Sequence, residues 1–191
     1  MTNIEQLLTE NNGLLKGHFC LTSGLHSDTY FQCAKLYENP KVVETLGKEL
    51  AQKLAGIDFD TIISPAIGAI IIGYETAKQA GKRFLFVERK EGTLQLRRDY
   101  RLQKGEKVII LEDVITTART INETKDAIDE FEPEIVRVAC IVDRTDGQKD
   151  YEITSLLQVS PITYNPENCP LCQAGVPLVK PGSREGAKTN V

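Results

Sequence analysis

The chain has 191 residues, of which 41% are hydrophobic and 26% charged, and this suits one globular domain with a buried core. Its 23 Lys and Arg residues against 27 Asp and Glu residues give a net charge of -4, which argues against a broad surface for duplex nucleic acid. No apolar run approaches the roughly 18 residues that cross a bilayer, and the start, MTNIEQLLTENN, lacks the basic and apolar stretches of a signal peptide. We therefore expect a cytoplasmic protein with no membrane and no nucleic-acid partner.

The first elements along the chain are predicted to be a helix, a hairpin and a second helix. Thr2 and Glu5 have the spacing of a capping box, and apolar residues then recur at helical period. In residues 20–33, CLTSGLHSDTYFQC, small and polar residues separate two short runs, which predicts strand, turn and strand. An asparagine cap before Pro40 predicts a helix start, and Gly56 is expected to end that helix.

From residue 60 onward, apolar runs alternate with helical patterns. Strands are predicted at TIIS, RFLFVE, KVIILE, EIVRVACIVD and ITSLLQV, and helices at 69–80 and 117–131, which Gly81 and Pro133 terminate. The nearly continuous apolar runs VIIL and VACIV are typical of strands covered on both faces. We therefore expect an α/β fold with a doubly wound, mainly parallel sheet and flanking helices.

The stretch ILEDVITTART (110–120) places Glu112 and Asp113 at the end of a buried strand and in front of several threonines. Ligands of open parallel sheets gather at the carboxyl ends of the strands. Carboxylates accept hydrogen bonds from sugar hydroxyls, and threonine hydroxyls with free backbone N–H groups at a helix start can surround a phosphate. The polarity favours a ligand with both a sugar and a phosphate. A solvated acidic turn and a Mg²⁺ cluster of the receiver-domain kind are alternatives that the spacing leaves open.

Cysteines and histidines give a weaker signal. Five cysteines without a secretory context favour reduced thiols over a disulfide framework. Cys169 and Cys172 form a C-x-x-C pair, but no second pair follows, so zinc would need ligands from elsewhere, such as Cys20, Cys33 or a histidine. A redox pair is disfavoured because the motif lies in an irregular tail. His18 and His26 are residues suited to acid–base chemistry, but a lone histidine near a turn is more often structural or solvated; an acid–base role stays open for His26.

The stretch 110–120 also resembles the phosphoribosyl diphosphate (PRPP) motif of type I phosphoribosyltransferases, with four apolar residues, two acidic residues and V-I-T-T-x-x-T. Further segments narrow the resemblance to the orotate phosphoribosyltransferase family. They are GHFCLTSGLHSDTYF (17–31), SPAIGAIIIGYE (64–75), FVERKEG (86–92), VDRTDG (142–147) and NCPLCQAGVPLVKPGSR (168–184). The resemblance implies Mg²⁺-dependent transfer of the 5-phosphoribosyl group from PRPP to orotate, which gives orotidine 5′-phosphate and pyrophosphate in pyrimidine biosynthesis.

For PRPP, the resemblance implies two loops. Glu112 and Asp113 would bind the ribose hydroxyls, while the loop after them would hold the 5-phosphate. That loop consists of Thr116, Thr117, Ala118, Arg119 and Thr120. A second loop would contact pyrophosphate through its backbone, with Ser64, Pro65, Ala66 and Gly68 as the matching residues. Mg²⁺ is expected to arrive with PRPP, and no protein ligand is assigned to it.

For orotate, the resemblance implies a pocket with an arginine and aromatic rings. The residues that match positions around the base are Ser23, Gly24, Tyr30, Phe31 and Thr116. Arg144 matches the arginine that pairs with the orotate carboxylate, a role that suits the planar fork of a guanidinium. A place in the core for Phe31 and a surface ion pair for Arg144 are the alternatives.

Catalytic charge is expected from the segment ERKEGTLQLRRDYR (88–101). In the family this segment holds a mobile loop, here 89–98, that closes over the active site and often reaches the neighbouring subunit's site, so a homodimer is implied. The lysine of the usual Lys-x-His-Gly motif has no counterpart here. The expected catalytic residues are Arg89, Lys90, Arg97, Arg98 and Asp113. A solvated basic hairpin is the alternative for the segment.

Several other positions depart from the family pattern. Thr22 stands where many relatives have a base-contacting lysine, and Gly68 with Ala69 where many have a pyrophosphate-contacting lysine. Arg119 replaces a small residue of the phosphate loop, so both an outward orientation and a phosphate contact stay open.

One domain is expected over 1–191, with 1–38 and 160–191 forming a base-binding hood and tail. Two rival functions remain. One is a phosphoribosyltransferase for another base, which the segments 17–31 and 142–147 disfavour. The other is a regulatory protein that keeps the PRPP fold to sense nucleotides and bind RNA, which the net acidity disfavours.

Overall fold

The computed structural model describes residues 2–21, 23–147, 151–160 and 162–181. Its helices are α1 (Ile4–Glu10), α2 (Pro40–Lys53), α3 (Ile70–Ala80), α4 (Arg119–Asp126) and α5 (Pro170–Gln173). Its strands are β1 (Leu14–Cys20), β2 (His26–Phe31), β3 (Thr61–Pro65), β4 (Arg83–Lys90), β5 (Thr93–Leu96), β6 (Lys107–Ile115), β7 (Glu134–Asp143), β8 (Ile153–Gln158) and β9 (Thr163–Tyr164). Thr22 and residues 182–184 of the last quoted segment lie outside the described residues.

The central sheet has six strands in the order β5-β4-β3-β6-β7-β8. Strands β4, β3, β6, β7 and β8 are parallel, and only β5 is antiparallel to its neighbour. All five residues of β3 are buried, as is the apolar run of β6, because helices cover both faces. The predicted α/β fold and its five parallel strands are confirmed.

Two groups of elements cover the sheet. Helices α1, α2 and α3 pack on one face through a large apolar cluster that includes Leu46, Ile72 and Ile109. On the other face, two smaller clusters form around Val108 and Ile121. A second sheet, antiparallel and in the order β1-β2-β9, combines residues from both ends of the chain. None of the described helices is long and apolar enough to cross a bilayer.

The helix starts are partly as predicted. Asn39 caps α2 through a hydrogen bond from the backbone N–H of Lys41, which confirms that helix start. The predicted capping box at Thr2 is wrong, because Asn3 caps α1 and accepts from the N–H of Gln6. The Thr2 hydroxyl instead donates to the Glu49 carboxylate at 2.5 Å.

Two further elements differ from the prediction. The helix predicted over 117–131 is shorter, since α4 ends at Asp126 and a 3-10 turn (Asp129–Phe131) follows, which lets Ile128 pack into the core. Strand β5 was not predicted. It pairs with β4 across a tight turn at Glu91 and Gly92, where both φ angles are positive, and it buries Leu94.

Candidate active site

The acidic pair lies at the carboxyl end of β6, a central strand of the sheet. Glu112 is 8% exposed, and Asp113 is partly buried beside it. The backbone N–H of Asp113 donates to a Glu112 carboxylate oxygen at 3.2 Å, and the N–H of Val114 donates to Asp113 at 2.8 Å. Neither carboxylate forms an ion pair with a cation among the described residues. The site therefore carries excess negative charge.

The pKa of Glu112 shows the electrostatic cost of this arrangement. Burial raises the pKa of Glu112 well above its ordinary value, and the neighbouring charge of Asp113 raises it further. A group that can donate hydrogen bonds to the pair, or a bound cation, would favour the ionised form. The pair thus favours a ligand that brings donors or positive charge.

A second loop lies directly against Asp113. This loop joins β3 to α3, and a side chain at Gly68 would begin 3.1 Å from a carboxylate oxygen of Asp113. The absence of a side chain at residue 68 lets the backbone of the loop lie close to the carboxylate without a tight contact. The Tyr37 hydroxyl donates to the Gly68 carbonyl at 2.7 Å and holds the loop in place. The peptide bond between Ala66 and Ile67 is cis.

The Ala66 N–H of this loop is already engaged inside the protein, and the Ser64 side chain, near the end of β3, is buried without a hydrogen-bond partner in the described structure. The Ser64 side chain is fully buried and lies against Gly73 of α3, and the N–H of Ala66 donates to the Val87 carbonyl at 2.7 Å. Any ligand contact of this loop must therefore come from other backbone groups, such as those near Gly68.

Helices α3 and α4 begin at this edge of the sheet without side-chain caps. Asparagines cap α1 and α2, whereas the N-cap residues of α3 and α4 are Ala69 and Ala118, which make no side-chain cap hydrogen bond. The first N–H groups of a helix have no partner within the helix. Thr116 and Thr117, just before α4, are exposed. Both helix starts are suited to binding anionic groups.

Arg144 and Phe31 lie beside this edge and face a cavity of about 250 Å³. The Arg144 guanidinium carbon lies 5.3 Å from the centre of the Phe31 ring, and the backbone N–H of Arg144 donates to the Ile115 carbonyl at 2.8 Å. Arg144 is 9% exposed, and its Nε atom is buried without a hydrogen-bond partner in the described structure. Burial lowers the pKa of Arg144, while the charge on Tyr30 acts in the opposite direction. An anionic group in the cavity would satisfy the guanidinium.

Tyr30 is close enough to Asp113 and to Arg144 for both charges to act on it. Burial and the charge of Asp113 raise the pKa of Tyr30, and Arg144 lowers it. Lys16 also lines the cavity, on the strand that pairs with β2. Ser23 and Gly24 lie instead at the turn between β1 and β2 and do not line the cavity; their role stays a prediction.

Most cations of the β4–β5 hairpin are paired with carboxylates. Arg97 and Arg98 both contact Glu88, at 3.2 and 3.1 Å. The Arg89 guanidinium contacts Glu123, which Arg119 also contacts at 2.9 Å. Arg119 therefore extends along α4 and away from the threonine loop.

Lys90 is exposed and makes no ion pair with any described residue. Of the four cations that the sequence analysis assigned to catalysis, it is the one whose charge is uncompensated within the described chain.

Comparison with known proteins identifies the family. The family model of the phosphoribosyl transferase domain matches residues 32–165. An orotate phosphoribosyltransferase of Thermoanaerobacter sp. (strain X514) is 48% identical over 172 residues, which are 89% of this chain and 90% of that protein. Another, from Caldicellulosiruptor bescii, is 44% identical over 182 residues, 94% of this chain and 96% of the relative.

This chain belongs to the orotate phosphoribosyltransferase family. Solved structures agree on the fold. An orotate phosphoribosyltransferase from Aeropyrum pernix has a TM-score of 0.68 at 22% identity and covers 82% of this chain and 93% of its own. The UMP synthase of Leishmania donovani has a TM-score of 0.71 at 21% identity, with 82% of this chain and 36% of that chain covered.

For this member of the orotate phosphoribosyltransferase family, the structure brings together three groups of predicted residues: the acidic pair, the two loops and the cavity with Arg144 and Phe31. Sequence reasoning missed Tyr37 and Lys16. The sequence around Tyr37 shows only an aromatic residue with a hydroxyl group just before the cap of α2, which does not indicate a bond to Gly68. The position of Lys16 could be predicted only if the register of β1 against β2 were known.

A substitution at Glu112 tests the electrostatic cost of the pair. Because the folded state holds the Glu112 pKa above its unfolded value, the stability that protonated Glu112 contributes is present at low pH and is lost as pH rises above the ordinary glutamate range. We predict that Glu112→Gln raises the free energy of unfolding at pH 7 by about 1 kcal/mol or more, because one pKa unit corresponds to about 1.4 kcal/mol. Urea unfolding between pH 5 and pH 8 measures the difference.

The control for this measurement is Glu44→Gln on the exposed side of α2, which we expect to change stability by less than about 0.5 kcal/mol. A Glu112→Gln protein that is no more stable than the parent at pH 7 would refute the claim that the charge of Glu112 destabilises the folded protein.

Proposed function

We propose that this chain transfers the 5-phosphoribosyl group of PRPP to N1 of orotate and releases pyrophosphate. The observation that supports it best is the closeness of Gly68 to Asp113, because a side chain at residue 68 would begin 3.1 Å from that carboxylate. This places the acidic pair and the loop after β3 side by side at one edge of the sheet. The orotate phosphoribosyltransferase family, to which the chain belongs, is named for this reaction.

In the proposed complex, PRPP lies across the carboxyl edge of β3 and β6. Glu112 and Asp113 accept hydrogen bonds from the ribose hydroxyls, which relieves the repulsion between their charges. The 5-phosphate meets the exposed threonine hydroxyls and the uncapped start of α4. Backbone groups near Gly68, at the start of α3, meet the pyrophosphate.

Orotate is proposed to occupy the cavity beside Phe31. Its carboxylate would take both parallel donors of the Arg144 guanidinium, whose buried Nε has no partner among the described residues. The Phe31 ring would lie next to the base, and Lys16 would add a second cation to the wall of the cavity. Because Arg144 follows β7 and contacts the end of β6, the base would lie next to the ribose.

The chemistry needs positioning and charge rather than a nucleophilic side chain. The bond from C1 of the ribose to the pyrophosphate oxygen breaks as the bond from C1 to N1 of orotate forms, through a centre with oxocarbenium character. Negatively charged groups near the ribose stabilise that centre, and holding both substrates in line lowers the entropic part of the barrier. Asp113 is the carboxylate proposed to act there.

The site also fits Mg²⁺. Carboxylate oxygens are ligands that Mg²⁺ prefers, and the acidic pair has no cation partner in the described chain. When bound with PRPP, Mg²⁺ would neutralise charge on the pyrophosphate. Glu112 and Asp113 are the residues that would face the ion.

Lys90 is proposed to supply positive charge to the leaving pyrophosphate. The structural argument is the contrast with its neighbours, because Arg97 and Arg98 share Glu88, and Arg89 contacts Glu123. Use of those arginines would first require that an ion pair break, whereas Lys90 is available at once. Closure of the hairpin 89–98 over the site would bring Lys90 toward the substrates and exclude water.

We further propose that the β1-β2-β9 sheet acts as the hood over the base and that the chain forms a homodimer. The support for a dimer is an exposed apolar face on α3, where Ile71 and Tyr74 are 46% and 57% exposed. These residues line a groove of about 900 Å³ together with Phe86 and Tyr100. A second copy of the chain would cover this face and place one subunit near the β4–β5 hairpin of the other.

The reaction itself is tested with purified protein, Mg²⁺, PRPP and orotate, by following the ultraviolet absorbance that is lost as orotate is consumed. We expect turnover with orotate and none with adenine, hypoxanthine or uracil. Turnover with one of those bases and not with orotate would overturn the proposed substrate. Inactivity with every base would instead favour a regulatory protein.

A substitution at Lys90 tests the source of catalytic charge. We predict that Lys90→Gln lowers kcat about 100-fold, as is typical when one group that stabilises developing charge is removed. The control is Lys104→Gln, because Lys104 is paired with Glu132 at 2.6 Å and lies before β6, at the other end of the strand from the acidic pair. A larger loss in Arg97→Gln or Arg98→Gln than in Lys90→Gln would show that an arginine carries this role.

A substitution on the apolar face tests the dimer. We predict that Tyr74→Glu converts a dimer to a monomer, because it places a charge in a face that a second copy would desolvate. Light scattering coupled to gel filtration measures the mass. Lys125→Glu, on the exposed side of α4, is the control and should remain dimeric. A dimeric Tyr74→Glu protein would exclude this face as the interface.

A further inference from the structure

Four side chains from three separate elements meet at one end of the second sheet. His18 lies on β1, His26 on β2, and Cys169 and Cys172 at the start and in the first turn of α5. Their ligand atoms all lie within 4.8 Å of one another. The two cysteines are more than 140 residues from the histidines in the chain, so the fold alone brings them together.

The distances fit a tetrahedral metal site. His18 Nε2 lies 2.9 Å from His26 Nδ1, and the Cys172 sulfur lies 3.7 and 3.4 Å from these two atoms. The Cys169 sulfur is 3.5 Å from His18 Nε2. Zinc bonds of about 2.3 Å to sulfur and about 2.0 Å to nitrogen would give nitrogen–sulfur separations of about 3.5 Å around a tetrahedron. The nitrogen–sulfur distances already suit such a site, and metal binding would require that the two ring nitrogens lose the hydrogen bond between them, with release of its proton, and move slightly apart.

The imidazole of His18 is held in the orientation that metal binding needs. Its Nδ1 lies 2.8 Å from the Val176 carbonyl oxygen, which can only accept a hydrogen bond. Nδ1 must therefore carry the proton, and the lone pair of Nε2 points toward the sulfurs and His26. A backbone carbonyl that fixes the second nitrogen in this way is typical of metal-bound histidines.

The C-terminal segment buries little of its own surface. In the described part of 162–181, Cys169 is the only buried residue. The two residues of β9 pair with β2, and beyond α5 the segment is joined to β1 by a short bridge, in which the N–H of Val179 donates to the His18 backbone carbonyl and the N–H of Cys20 donates to the Val179 carbonyl, both at 2.8 Å. A segment that buries so little apolar surface needs another source of stability, such as a metal or a disulfide. Both cysteines are free thiols.

We propose that His18, His26, Cys169 and Cys172 bind one structural Zn²⁺ ion. Two sulfur and two nitrogen ligands in a tetrahedron favour zinc over the hard cations Mg²⁺ and Ca²⁺. With all four positions filled by protein, the ion has no open site for a substrate. It would fix α5 and the segment after it to the β1–β2 hairpin. This proposal does not depend on the reaction that the chain catalyses.

Metal content tests the proposal directly. The full chain is purified under reducing conditions, incubated with Zn²⁺, dialysed, and analysed by mass spectrometry for zinc per chain. We expect one zinc ion per chain in the parent and in the control Cys20→Ser, whose thiol lies in the same hairpin but outside the cluster. Cys172→Ser, at the exposed ligand, should lose most of the zinc. A parent that binds no stoichiometric zinc, or a Cys172→Ser protein that retains it, overturns the site.

Cobalt binding provides a second test, which uses only the parent protein and therefore does not depend on whether a variant folds. When Co²⁺ replaces Zn²⁺ in the parent, a site with two thiolates should give a thiolate-to-cobalt charge-transfer band and the intense visible bands of tetrahedral Co²⁺. Both sets of bands should disappear on addition of excess Zn²⁺, since Zn²⁺ binds more tightly to tetrahedral thiolate sites. Absence of the charge-transfer band in the parent would exclude cysteine ligation and refute the proposal.

Discussion

Two like charges at the end of a buried central strand are the constraint on which the rest of this site depends. Glu112 and Asp113 follow an apolar run that must be buried for the sheet to form, and they cannot move into solvent without a break in β6. Their repulsion and partial desolvation oppose folding, as the raised pKa of Glu112 indicates. Functional sites often lower the stability of a protein in this way, because their charges are placed where a ligand binds.

The surroundings of the pair are consistent with this interpretation. Residue 68 is a glycine, and its backbone lies against Asp113. The adjacent helix starts are left without side-chain caps, although α1 and α2 show that the chain uses asparagine caps elsewhere. One edge of the sheet thus presents carboxylates in its centre and helix starts without side-chain caps on either side. PRPP, with hydroxyls between two phosphate groups, has the complementary arrangement.

Much of the fold was predictable from the sequence because it depends on local periodicity. The apolar runs of β3, β6 and β7 and the Asn39 cap of α2 are local signals, and they predicted these elements correctly. Strand β5 was missed because it has only four residues, and because the glycine at position 92 was the only turn signal while Glu91, which also has a positive φ angle, gave none. Family resemblance suggested the acidic pair and Arg144, and the fold brings them to one edge.

Contacts between distant residues were not predictable. The ion pairs of Arg97 and Arg98 with Glu88, which leave Lys90 as the available cation, depend on the hairpin geometry. The cluster of His18, His26 and the two cysteines was similarly hidden, because a single C-x-x-C pair does not indicate where its other ligands lie. In both cases residue types were visible in the sequence, and only three-dimensional proximity gave them a role.

The central claim is that Asp113 binds the ribose of PRPP, and calorimetric titration of Mg²⁺-PRPP into the parent and into Asp113→Asn tests it most directly. Loss of a charged acceptor typically costs about 1.5–3 kcal/mol, so we expect the affinity to fall about 10-fold to 100-fold. Asp58→Asn, an exposed aspartate paired with Lys107 at the start of β6, is the matched control and should bind as the parent does. Equal affinity in the parent and Asp113→Asn would contradict the account.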